Sequence, residues 1–125
     1  MKQITEDYVN SEIAQLLQEK GFDIPCRQAY FNGSLVDYTM YGFCDGKLLD
    51  CPTQHIAIKW LKELYSIYIT SEPDINDKHC FYPAIYTMTE ESWDMQSFEE
   101  LEKLSFDKPE QAVDAAILYV LKNLI

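Results

Sequence analysis

The sequence predicts an α+β fold with the order α-β-β-α-β-β-α, its helices packed on an antiparallel or mixed sheet of about four strands. Three features point there. Apolar residues recur at helical spacing in three separated stretches. Strand-like runs lie between them in adjacent pairs, the first pair joined by Asn32-Gly33, a hairpin signal. After Tyr65 the apolar period changes from about 3.6 to about 2 with almost no linker, so a helix runs directly into a strand. The length of 125 residues fits one domain, 1–125.

The first helix is expected over Thr5 to Lys20, with Val9, Ile13, Leu16 and Leu17 as its stripe. Thr5, Asn10 and Ser11 are all able to cap its start. Gly21 suits the position after the last turn, with Phe22 folding back on it. Arg27 to Phe31 and Leu35 to Phe43 read as strands around the Asn-Gly turn, and Asp45-Gly46 reads as a second turn. A short Lys47 to Leu49 return is one option after it.

The clearest helix runs from Pro52 to Tyr65. Thr53 is its N-cap, and Ile56, Ala57, Trp60, Leu61 and Leu64 form its apolar face. In the following strand, Ile67 and Ile69 face the core, and Ser66, Tyr68 and Thr70 face away. Cys80 to Thr89 is the next strand. Pro83 within it requires either an edge or pairing that begins after it. Residues 90–104 carry a capping-box spacing at Ser97-Phe98-Glu99-Glu100 and a short apolar set, Phe98, Leu101 and Leu104. Asp107 is expected to cap the last helix, which buries Val113, Ala116, Ile117, Val120, Leu121 and Leu124.

Composition limits function. Hydrophobic residues make up 47% of the chain and aromatics 14%, enough for a sizeable core. The net charge is −11, and residues 90–114 hold nine acids against two lysines. Such a surface repels phosphate backbones, so direct nucleic-acid binding is not expected. The opening residues turn acidic at once without an apolar core, and no apolar run approaches the ~20 residues of a membrane span. A cytoplasmic protein without a membrane segment is expected.

Each catalytic template fails in turn. The four cysteines, Cys26, Cys44, Cys51 and Cys80, lack the close pairing of structural zinc ligands. A site from Cys44, Cys51, His79 and Cys80 competes with four reduced, buried thiols, and no metal is expected. Four scattered glycines make no phosphate cradle, and no cofactor is expected. Glu90, Glu91, Asp94, Glu99 and Glu100 read as a solvated acidic face. The sharpest catalytic pattern is Cys51 at a helix start with His55 one turn on, where a dipole lowers a thiol pKa and an imidazole activates it.

Nine tyrosines remain. Tyr30, Tyr38, Tyr41, Tyr68, Tyr82 and Tyr86 suit a stacking platform, but the basic groove of nucleic-acid platforms is missing. A tyrosine-bearing sheet face fits a protein partner or self-association better.

Three stretches resemble small proteins of gut anaerobic bacteria, their phages and mobile elements. Ala14 to Phe22 follows the pattern A-x-L-L-x-x-K-G-F, Pro52 to Leu61 follows P-T-x-x-x-A-x-x-W-L, and Phe106 to Ala116 resembles the closing helix of that group. The resemblance implies the same architecture, a cytoplasmic setting and a mobile-element origin. Its motifs contain no catalytic residue, and the group's function is unknown. The functional expectation is therefore a small non-catalytic accessory or interaction module, with Tyr68, Tyr82, Tyr86, Glu99 and Glu100 as binding residues. The alternatives are a thiol-dependent enzyme using Cys51 and His55, and an acidic DNA mimic.

Overall fold

The computed structural model describes residues 5–37 and 48–125. Along them run α1 (Ser11–Glu19), β1 (Gln28–Phe31), β2 (Ser34–Asp37), β3 (Leu49–Cys51), α2 (Gln54–Tyr65), β4 (Ile67–Pro73), β5 (Phe81–Met88), β6 (Trp93–Gln96), α3 (Glu99–Glu102) and α4 (Pro109–Asn123). Tyr38 to Phe43, Cys44 and the Asp45-Gly46 turn, all assigned roles above, lie outside the described residues.

Local chemistry accounts for most boundaries. Helix α1 starts at Ser11 and not at Thr5, because Asn10 accepts the Ile13 N–H at 2.9 Å, while residues 7–9 extend along the start of α2. It ends in a Schellman motif. Gly21, at φ 91°, donates to Gln18, and Phe22 donates to Leu17. Phe22 then lies edge-on against Trp60, ring centroids 5.4 Å apart. Asn32 and Gly33 both take positive φ, as a two-residue hairpin loop of the I′ kind demands. Thr53 caps α2 by accepting the Ile56 N–H at 3.2 Å.

Ser66 ends α2 in the left-handed region, at φ 55°. This conformation turns the helix straight into β4 and strains any residue with a Cβ. Ser66→Gly is expected to stabilise the protein by about 0.5–1 kcal/mol, read as a thermal midpoint about 2–5 °C higher.

Among the described residues there are four helices and two three-stranded antiparallel sheets, β2-β1-β3 and β4-β5-β6, with helices packed against them. The α+β class and the hairpin pairing hold, but the strands form two sheets where about four strands in one were expected. Strand β3 folds back on β1, Gln28 opposite Cys51. The 12-residue α2 then carries the chain about 18 Å before β4 begins, so β4 pairs with β5 instead. Pro83 is accommodated because β5 has only β4 beside it there; pairing with β6 starts at Ile85.

Both sheets serve one core. Helix α4 covers the inner face of β4 and β5, α2 lies on β4 and α4, and α1 lies on α4 and β3. Ile13, Leu17, Leu61, Ile69, Ile85, Ile117 and Leu121 are fully buried at their junction. Leu64 was expected on the buried face of α2 but is 62% exposed, lining a surface cleft with Ile24, Ile56 and Trp60 instead of entering the core. Asp107 does not cap α4. Lys108 occupies that position without a side-chain bond, and Pro109 opens the helix. Ser97 likewise bonds Glu102 instead of closing a capping box with Glu100. Among the described residues, no helix is long and apolar enough to cross a membrane.

Candidate recognition face

Alternation along β4 sends Ile67 and Ile69 into the core and leaves Tyr68, Thr70 and Glu72 on the opposite, outer face. Register extends that face across the sheet. Tyr86 lies opposite Tyr68 and Met95, Tyr82 lies opposite Glu72, and Met88 lies opposite Trp93. Among the described residues, no helix buries the centre of this side. Tyr68 is 41% exposed, Trp93 38%, Met88 51% and Met95 59%.

The rings of Tyr68 and Trp93 stand 6.2 Å apart, tilted by 56°. With Tyr86, Thr70, Glu72 and Lys62 they line an open cleft of about 540 Å³. Tyr86 Oη donates to Glu72 Oε1 at 2.9 Å, which raises the Tyr86 pKa. Tyr82 Oη donates to Asp74 Oδ2 at 2.6 Å. That bond holds the Asp74 carboxyl below its ordinary value and pushes the Tyr82 phenol up.

Tyr68, Tyr82 and Tyr86 are therefore brought together on one surface. Glu99 and Glu100 are not: they lie on α3, off the cleft. Glu99 pairs with Lys103 at 3.8 Å, both side chains largely exposed, and Glu100 neighbours Tyr119. The main contributors missed in the sequence are Trp93, Met95, Met88 and Glu72. Trp93-Asp94-Met95-Gln96 does alternate, but four residues within an acidic segment are too short a signal to rank as a strand.

Cys51 and His55 sit in different surroundings. Cys51 is 1% exposed at the end of β3, and its Sγ donates to the Val9 carbonyl at 3.2 Å. His55 is exposed on the first turn of α2 and lines a different cleft from Cys51. Burial pushes the Cys51 thiol up to about 12, outweighing the hydrogen bond with Tyr30 that lowers it. Tyr30, whose Oη donates to the same Val9 carbonyl at 2.7 Å, is itself raised to about 12, chiefly by burial. The helix dipole does not decide the matter, because the thiol is buried and donates to a carbonyl. Among the described residues, no three His, Cys, Asp or Glu side chains converge on a metal-sized point.

One polar network is structural. Gln54, buried at the start of α2, donates from Nε2 to the Glu110 carbonyl at 2.7 Å and to Asp114 Oδ1 at 2.8 Å, tying α2 to α4. Asp114 is raised, first by burial and then by the charges of Asp7 and Glu110, against the lowering effect of Gln54. The folded protein thus holds the Asp114 proton more tightly than the unfolded chain does. Stability from this group is present at acid pH and is lost as pH rises through the folded value. Asp114→Asn keeps an acceptor for Gln54 and removes the charge. It is expected to stabilise the protein at neutral pH by about 0.5–1 kcal/mol after solvent screening, with the gain vanishing below the ordinary carboxylate range in a pH series of thermal melts.

No family model, curated protein or solved structure matches the chain.

Proposed function

We propose that the protein is a small non-catalytic interaction module that engages a protein partner through the outer face of β4, β5 and β6. One observation carries the reading: Tyr68, Met88, Trp93 and Met95, all large and all more than a third exposed, are gathered on that single sheet face. Aromatic and Met side chains of this kind are enriched in the cores of protein interfaces. Leaving them in water has no benefit for folding, since the inner face of the same sheet already supplies the core. Glu99 and Glu100 enter only as part of the general negative charge. The helix motifs that resemble phage and mobile-element proteins support a bacterial, cytoplasmic setting.

Affinity capture from a native lysate tests the face. Tyr68→Ala and Trp93→Ala are expected to reduce the captured partner by about tenfold or more while circular dichroism stays unchanged. Charge reversal at the distant Glu19 leaves capture intact. Equal capture by both face variants and the wild type would rule the proposal out.

A further inference from the structure

Two of the outer face's three phenols, Tyr82 and Tyr86, spend their protons within the face. Tyr86 donates to Glu72 and Tyr82 donates to Asp74. What remains outward at each pair is lone pairs only, on the phenol oxygen and on the carboxylate. The two carboxylates differ. Asp74 also accepts the Asn76 N–H at 2.8 Å, whereas among the described residues the Glu72 side chain takes one hydrogen bond, from Tyr86, and no ion pair.

Glu72 shares its cleft with Tyr68, Tyr86 and Trp93, whose ring faces are electrostatically negative. The tilt of Tyr68 against Trp93 leaves the pair unstacked, so ring surface is left for a third flat group. Acceptors, negative ring faces and a carboxylate in no ion pair among the described residues, in a chain of net charge −11, are complementary to a cation. A guanidinium fits better than an ammonium, because it is planar, stacks on aromatic faces and offers a fork of donors to a carboxylate. Lys62, which also lines the cleft, is its own cation and opposes an incoming one.

Resting on the interaction-face reading, we infer that this cleft takes an arginine side chain from a basic segment of the partner, stacked on Tyr68 and Trp93 and paired with Glu72. Asp74 with Tyr82 repeats the acceptor pair farther along the face and suits a second cation of the same segment.

The probe is a fluorescein-labelled acetyl-(Arg-Ser)₃-amide peptide, read by anisotropy, with lysine and citrulline versions alongside. Citrulline keeps the shape of arginine without its charge. The arginine peptide is expected to bind about tenfold or more tighter than the citrulline peptide and severalfold tighter than the lysine peptide. Glu72→Gln keeps the acceptor for Tyr86 and removes only the charge; it is expected to weaken the arginine peptide about tenfold. Lys62→Met is expected to tighten it about threefold. Glu19→Gln, the same charge change on α1, is expected to leave affinity within about twofold. Equal losses from Glu72→Gln and Glu19→Gln would mean bulk attraction alone and overturn the inference, as would equal binding of arginine and citrulline peptides. If the peptides fail in this way while Tyr68→Ala still abolishes partner capture, the cation is wrong and the face stands. If Tyr68→Ala leaves capture intact as well, both fall.

Discussion

Ile69→Ala is expected to destabilise the fold by about 3 kcal/mol, while Tyr68→Ala, one residue away, costs less than about 1 kcal/mol. Ile69 is 1% exposed and sits opposite Ile85, beneath α4. Truncation removes three buried carbons and leaves a cavity that two rigid layers cannot collapse to fill. Tyr68 points the other way, and its ring touches Trp93 and solvent. In a domain of this size the first change lowers the thermal midpoint by about 10 °C and the second by only a few degrees. Partner capture should rank the two variants in the opposite order. A Tyr68→Ala protein as unstable as Ile69→Ala would show that the ring belongs to the core.

Cys51 is expected to be inert in the folded protein. A thiol whose pKa is pushed up to about 12 holds, at neutral pH, roughly a thousandfold less thiolate than an unperturbed one. Burial adds a steric barrier, because the sulfur faces the Val9 carbonyl and not solvent. Titration with a thiol-specific disulfide reagent should therefore modify Cys51 at least about a thousandfold more slowly than a model thiol, with the full rate restored in denaturant. Mass mapping of the modified peptide separates Cys51 from Cys26, whose thiol burial pushes up to about 11, and from Cys44 and Cys80. Rapid native labelling at Cys51 would revive a thiol enzyme using that residue.

Legibility in the sequence differed by element, for physical reasons. Thr53 and Gly21 were readable as helix ends because capping involves only a few neighbouring residues. The start of α1 was misplaced because Val9 continues the apolar spacing. Yet Val9 is buried from extended backbone, with its N–H bonded to Pro52. Periodicity records burial and does not record which backbone delivers it. The short β6 was hidden by the acids around it, and with it Trp93, half of the candidate site's aromatic wedge. The four-residue spacing of Cys51 and His55 suggested one helical turn between them, but Cys51 ends a strand and only His55 is on the helix, so the first is buried and the second exposed.

The sequence by itself determined the α+β class, the N-cap of α2, the C-terminal cap of α1, and the side of β4 that carries Tyr68. These follow from covalent geometry and from contacts within a few residues. Only the tertiary structure decided that β4 pairs with β5 and not with the first sheet, and that Tyr68, Tyr86 and Trp93 meet in one cleft beside Glu72. It alone buried Cys51 and left His55 exposed. Register and burial depend on residues dozens of positions apart, and no local pattern encodes where those distant partners come to rest.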